Sequence, residues 1–249
     1  HYYVGLADDM DLGVKYTTRR GGWTFDAADY ARDEGNWRGA TEQSARYSYD
    51  VVNEFGAGYR ERDQLNFRAI REWSDGSVSG AYGASLQAGE LDGKGGREDE
   101  SHFAASLHAV TEIDAWTLGA QLSYYELGGV GDTTTFGDYD FPLEVAARAW
   151  VPAVSLSYLI ETRAWEWLDS AHPYFEYSAV VKPEDGLNDS EFVTFGTAFA
   201  RGPWYVYLDL VFSNGNEFVG GEVPFGERMG RNPFDEWQYR LNLNFGLYY

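Results

Sequence analysis

Ser106 and His108 stand two residues apart in "HFAASLHAV", and a serine and a histidine on one strand face are the raw material of nucleophilic catalysis. A hydrolase also needs a group to orient the histidine and a sharp turn to present the serine. Neither is identifiable, so the pair reads as ordinary polar lining. "DDMD" supplies Asp8, Asp9 and Asp11, carboxylates that a hard cation uses, but it lacks the glycine and distal glutamate of a calcium loop and reads as a solvated acidic loop. "FGDYDFP", with Asp138 and Asp140, is a second acidic loop. "GGVG" and "GELDGKGG" lack the strand-to-helix context of a phosphate cradle. No catalytic residue, metal ligand set or cofactor is expected.

Composition restricts partners and class. The formal net charge of -21 argues against nucleic acid, whose phosphates need a basic face. The 17% aromatic content with 29 glycines and 7 prolines suits many strands and an all-β fold over a single domain, residues 1–249. Cysteine is absent, which excludes disulfides and thiolate metal sites. The longest nearly apolar run, "AWVPAVSLSYLI", falls short of the roughly 20 residues of a membrane-spanning helix. His1 opens without a charged n-region or apolar signal core, so the sequence reads as mature or trimmed, and an exported origin stays open.

Period-two alternation predicts about eleven strands, over residues 11–18, 23–31, 63–73, 77–90, 102–111, 116–125, 145–160, 172–182, 191–200, 204–212 and 237–249. One parity collects Phe67, Tyr82, Leu86, Phe103, Leu107, Leu118, Leu122, Val154, Leu156, Phe195, Phe199, Val206, Leu208, Leu210, Leu241 and Phe245. The other collects Lys15, Asn66, Arg68, Ser106, His108, Gln121, Ser123, Glu176, Asp209, Arg240, Asn242 and Asn244. In hydrocarbon every backbone group must be paired internally, which a closed barrel achieves, and outward side chains must be oily while inward ones meet water. The second set is therefore expected to line a wet lumen.

Connections alternate between short ("TRRGG", "SDG", "ARG") and long (32–62, 91–101, 127–144 and 213–236), the pattern of a transmembrane barrel. Trp23, Trp73, Trp116 and Trp204 flank short turns as an aromatic girdle does, and Trp165 with Trp167 marks "ETRAWEWLDS" as a connection on the same side. The last strand descends from a long loop, with Trp237 at the outer girdle and Tyr249 on the short-turn side. The first strand also descends, and an antiparallel barrel needs an even strand count. At least one strand is expected to precede it.

"YYVGLADDMDLGVKY", "DEGNW" with "SARYSYDV", "GASLQAGELD", "GPWYVYLDLVFSNGNEFVGG" and "LNLNFGLYY" together resemble a large family of Gram-negative outer-membrane porins. The resemblance extends over essentially the whole chain and matches the last two-thirds of such proteins. It implies about five upstream strands of a barrel similar to the sixteen-stranded general porins; a closed barrel of about twelve strands is the alternative. It further implies the bacterial outer membrane, lipid and lipopolysaccharide as surroundings, and a passive diffusion channel for small hydrophilic solutes or ions. A homotrimer is one assembly it allows. The acidic balance favours a mild cation preference, although much of the charge lies in loops such as "GREDE" and "PEDGLNDSE". Two other functions stay open: an outer-membrane barrel enzyme, and a soluble acidic β-sandwich that stacks sugars on surface tryptophans.

Overall fold

The computed structural model describes residues 11–33, 50–51, 58–138, 141–162, 167–215 and 236–248. Strands β1 (Asp11–Arg20), β2 (Trp23–Asp33), β3 (Asp50–Val51), β4 (Tyr59–Asp75) and β5 (Val78–Gly93) come first. Next are β6 (Glu100–Ile113), β7 (Trp116–Leu127), β8 (Thr133–Asp138), β9 (Phe141–Ala146) and β10 (Arg148–Tyr158). The last are β11 (Ile160–Glu161), β12 (Ser170–Val180), β13 (Ser190–Arg201), β14 (Trp204–Asn214) and β15 (Gln238–Leu247). Among the described residues there is no helix.

The architecture is an antiparallel all-β sheet in the order β1-β2-β4-β5-β6-β7-β10-β12-β13-β14-β15, with β11 added on β12. Four of its hairpins turn in two residues, at Gly21–Gly22, Gly76–Ser77, Asp114–Ala115 and Gly202–Pro203. The first residue of each has positive φ, at 58°, 61°, 52° and 51°. Such turns match the right-handed twist of the strands they join, and glycine supplies that conformation without strain. All four lie at one end of the sheet together with the connection from β10 to β12, and the other longer connections lie at the opposite end.

Neighbouring strands are sequence neighbours once β3, β8, β9 and the short β11 are set aside. The first three of these form a separate sheet, β3-β8-β9, between the long connections. Two expectations change here. The span 127–144 carries the β8–β9 hairpin, and the predicted strand 145–160 is split, because Val145 and Ala146 belong to β9 and the sheet strand starts at Arg148. The run from Val145 to Ala147 is small, apolar and buried, so no change of side-chain type marks the break at Ala147. The predicted strand 172–182 ends at Val180, leaving Lys182 in the connection to β13.

Closure is not observed. Among the described residues, β1 pairs only with β2 and β15 only with β14. The reason is directional: eleven strands that alternate leave the two edges running the same way, so β1 and β15 cannot pair antiparallel with each other. The twelve-stranded closed alternative recruits the first residues of the chain, and residues 1–10 lie outside the described residues. Trp165, Tyr249, Asp8, Asp9 and Asp140 lie outside the described residues.

The buried apolar core is small and sits at the long-connection end, where Tyr59, Leu91 and Leu127 cluster with Val130 against them. Large hydrophobics are instead exposed along one sheet face, among them Phe67, Leu86, Leu107, Leu118, Leu122, Phe195, Leu241 and Phe245. Exposed apolar surface gathered on one face in this way marks a surface that meets lipid or another protein.

Candidate functional site: the polar face of the sheet

Directly paired residues on antiparallel strands point to the same side, so the registers decide which residues share a face. One row runs Thr17–Asp26–Arg68–Ser85–Ser106–Ser123 across β1, β2, β4, β5, β6 and β7. The row Gly83–His108–Gln121–Ala153–Ser178 continues the same face onto β12. Beyond it, Ser155–Glu176–Thr194–Val211–Arg240, Gly196–Asp209–Asn242 and Ala198–Tyr207–Asn244 carry it to the far edge. Lys15 pairs with Ala28 and Ala28 with Asn66. All twelve residues singled out from parity thus occupy one face, and the apolar set occupies the other.

Six of them, Lys15, Asn66, Arg68, Ser106, Gln121 and Ser123, line one cavity of about 480 Å³. Glu176, Asp209, Arg240, Asn242 and Asn244 lie outside it on β12, β14 and β15, and His108 lies beside it. The face therefore carries two polar regions, one toward each edge.

At the first, Asp26 is the hub. Its carboxylate accepts from Thr17 Oγ1 at 2.5 Å and from Arg68 Nε at 2.8 Å, with Arg68 Nη2 at 2.7 Å and Lys15 Nζ at 3.5 Å. The Asp26 side chain is 7% exposed, against 48% for Lys15 and 45% for Arg68. A buried anion is thus covered by two cations whose outer halves stay wet, which leaves local positive charge facing the cavity. Nearby, Gln87 Nε2 donates to Gln64 Oε1 at 2.6 Å and Gln64 Nε2 to Asp11 Oδ2 at 2.9 Å.

At the second, Asp209 accepts from the Tyr174 hydroxyl and from Asn242 Nδ2 at 3.2 Å. No cation is recorded on this carboxylate among the described residues, and Glu176 stands exposed on the neighbouring row. Charges of both signs occur in each region, Asp26 with Lys15 and Arg68 in the first and Asp209 and Glu176 with Arg240 in the second.

Large side chains lie flat across glycines of the next strand. A Cβ on Gly246 would stand 1.8 Å from the Tyr205 ring, one on Gly196 2.3 Å from Tyr174, and one on Gly89 2.1 Å from His102 Nε2. These rings cover the sheet and do not project from it, so the glycines keep the polar face shallow.

Ser106 and His108 do not work together. Ser123 Oγ donates to Ser106 Oγ at 2.8 Å, toward β7, whereas the His108 imidazole lies over Gly83 on β5. Gln121 Nε2 extends the hydroxyl pair by donating to Ser123 Oγ at 3.0 Å. Among the described residues no group of three His, Cys, Asp or Glu side chains could hold a metal.

Sequence reading missed Asp26, Gln64, Gln87 and Tyr174. Asp26 and Gln87 were within reach of it, since each stands at the polar parity of an alternating segment. Gln64 was within reach as well, since it shares the parity of Asn66 and Arg68; parity breaks only beyond it, at the register shift between Arg62 and Leu65 where Asp63 has φ 49°.

The long-connection end has its own anchors. Tyr125, on the polar face, donates its hydroxyl to the Ala146 carbonyl at 2.9 Å and so ties the end of β9 to the sheet. Lys182 is buried between β12 and β13, with Nζ donating to Ser190 Oγ at 2.7 Å and to the Asn188 carbonyl. Ser190 passes the link to the Gly215 carbonyl at 2.7 Å. Burial pushes the Lys182 ammonium down to about 8.

Comparison with known proteins adds no relative: no family model, no curated protein and no solved structure matches the chain.

Proposed function

We propose that the chain forms part of the wall of an outer-membrane diffusion channel of the Gram-negative porin type, passing small hydrophilic solutes or ions. One observation carries the reading. A single antiparallel sheet has an apolar face left exposed and a polar face bearing Lys15, Arg68, Glu176, Asp209 and Arg240. Lipid stabilises the first and water the second. In a barrel of about sixteen strands, an odd number of further strands stands between β15 and β1, which restores antiparallel pairing at both edges.

The mechanism is diffusion through a water path, biased by the side chains of the wall. A mild cation preference follows from the acidic balance and from Asp209 and Glu176. Lys15 and Arg68 oppose it locally. No covalent step is involved, and the lipid and lipopolysaccharide of the bacterial outer membrane are the surroundings. The test is planar-bilayer recording of the purified protein: stepwise conductance is expected, with a reversal potential in a salt gradient of cation-selective sign. A bilayer that stays sealed at protein levels where the chain is shown to be inserted would refute the channel.

A further inference from the structure

At the two-residue-turn end the apolar face changes character. The row Arg20–Trp23–Arg71–Tyr82 crosses β1, β2, β4 and β5, on the face that carries Phe25, Phe67 and Leu86 further along. The Arg71 guanidinium carbon lies 5.9 Å from the centroid of the Trp23 ring. Its Nη1 donates to the Gly21 carbonyl. Trp23 is braced in turn, stacked on Phe25 at 5.7 Å and edge-on to Tyr82 at 6.0 Å. Gly22 makes the arrangement fit, since a Cβ there would stand 2.8 Å from Arg71 Nη1.

Neither Arg20 nor Arg71 has a carboxylate partner among the described residues. Arg201 sits on the same face at another two-residue turn, and it has Asp169 Oδ1 at 3.9 Å. A guanidinium on a lipid face costs roughly 2 to 4 kcal/mol at the midplane but about 0 to 1 kcal/mol near the interface. The row therefore belongs at headgroup level, where tryptophan and tyrosine also prefer to sit. The counter-charge available at that level is phosphate, and a guanidinium held flat on an aromatic ring still presents an edge of N–H donors to it.

We propose that Arg20, Trp23, Arg71 and Tyr82 form a binding site for the phosphate diester of an anionic phospholipid, of the phosphatidylglycerol class, in the leaflet facing the short turns. This rests on the membrane-embedded reading above. Arg71 and Trp23 form the fixed part of the site, and Arg20, at the exposed end of β1, closes on the phosphate from the side. The Tyr82 hydroxyl is a further donor to the headgroup.

The test uses the purified protein in nanodiscs of phosphatidylcholine alone and of phosphatidylcholine mixed with phosphatidylglycerol, followed by native mass spectrometry of the lipids it retains. Phosphatidylglycerol should be retained over phosphatidylcholine. The R20Q/R71Q pair should weaken that retention by roughly 30-fold, two basic contacts' worth, and R201Q should leave it unchanged. R20Q alone leaves the Arg71–Trp23 packing intact, so its smaller loss of retention is a reading free of folding defects. Equal retention of the two lipids, or phosphatidylglycerol retention indifferent to R20Q, overturns the site. Failure to enter any nanodisc overturns the membrane reading itself, whereas insertion without lipid preference overturns the site alone.

Discussion

Replacing Leu122 by arginine tests the two-faced sheet directly. Leu122 is 44% exposed and pairs with Leu107, itself 62% exposed, on one side and with Pro152 on the other. It lies six residues beyond Trp116 in β7, or about 20 Å along the strand. A tilt near 40° makes that about 15 Å along the membrane normal, close to the middle of an apolar band about 25 Å tall. L122R should therefore destabilise the protein folded in phosphatidylcholine vesicles by roughly 2 to 4 kcal/mol, read from urea titrations of tryptophan fluorescence. The matched control is Q121R, one residue away on the polar face. Gln121 is exposed and loses one hydrogen bond, to Ser123, so its expected cost is about 1 kcal/mol. In a protein whose apolar face met water, L122R would stay within about 0.5 kcal/mol of neutral. Equal effects of L122R and Q121R would refute the assignment of faces.

Two positions on the polar face and one in the connection between β12 and β13 give further tests. D26N removes the anion that Lys15, Arg68 and Thr17 share; it should cost roughly 1 to 3 kcal/mol and shift the reversal potential toward anions, and a potential unchanged in sign and size would refute its role in the field of the wall. G196V forces the Tyr174 ring off the sheet, so single-channel conductance should fall, whereas V211L on the same face, opposite Thr194, should change it less. Lys182 has a folded pKa of about 8, below its ordinary value of 10.5, so the folded state releases the proton first. The burial penalty is fully present below pH 8 and is relieved as pH rises toward 10.5, a gain on the order of 3 kcal/mol at most. Urea midpoints should rise with pH from about 8 in the native chain, and K182M should flatten that rise.

The faces were legible because alternation is a local property. Ser106, Leu107 and His108 declare the face of β6 on their own, and each neighbour does the same, so twelve polar positions could be assigned to one side without knowing a single pairing. What stayed hidden required a partner strand. Asp26 acquires meaning only when the register sets it between Thr17 and Arg68. Tyr174 does so only when Gly196 gives it room beside Asp209. Strand ends were blurred where the signal was ambiguous: β5 runs to Gly93 through "ELDG", residues that resemble a loop by composition. The hairpin in 127–144 was overlooked although Thr133, Thr134 and Thr135 are β-branched, because the glycines and aspartates around them favour turns.

The two edges of the sheet bear on what surrounds it. β1 and β15 are ten residues each, and an edge strand turns about half of its backbone N–H and C=O groups, about five of each here, toward a side on which no further strand pairs among the described residues. In water such edges invite pairing with other chains. In hydrocarbon each unpaired group costs several kcal/mol, which no apolar contact on the same strand offsets. In the membrane reading proposed above, the apolar face meets lipid and the edges do not tolerate it bare. That reading is consistent when strands of opposite direction lie against β1 and β15, and in a closed antiparallel barrel their number is odd. A pairing of β1 with β15 themselves would be parallel at a single seam in an otherwise antiparallel wall. Cysteines placed on paired-parity positions of β1 and β15 should therefore fail to form a disulfide in the folded protein, since a distance between Cα atoms above about 7 Å forbids it. An efficient cross-link between them would show that the wall closes on itself through a parallel seam, and it would overturn the requirement for intervening strands.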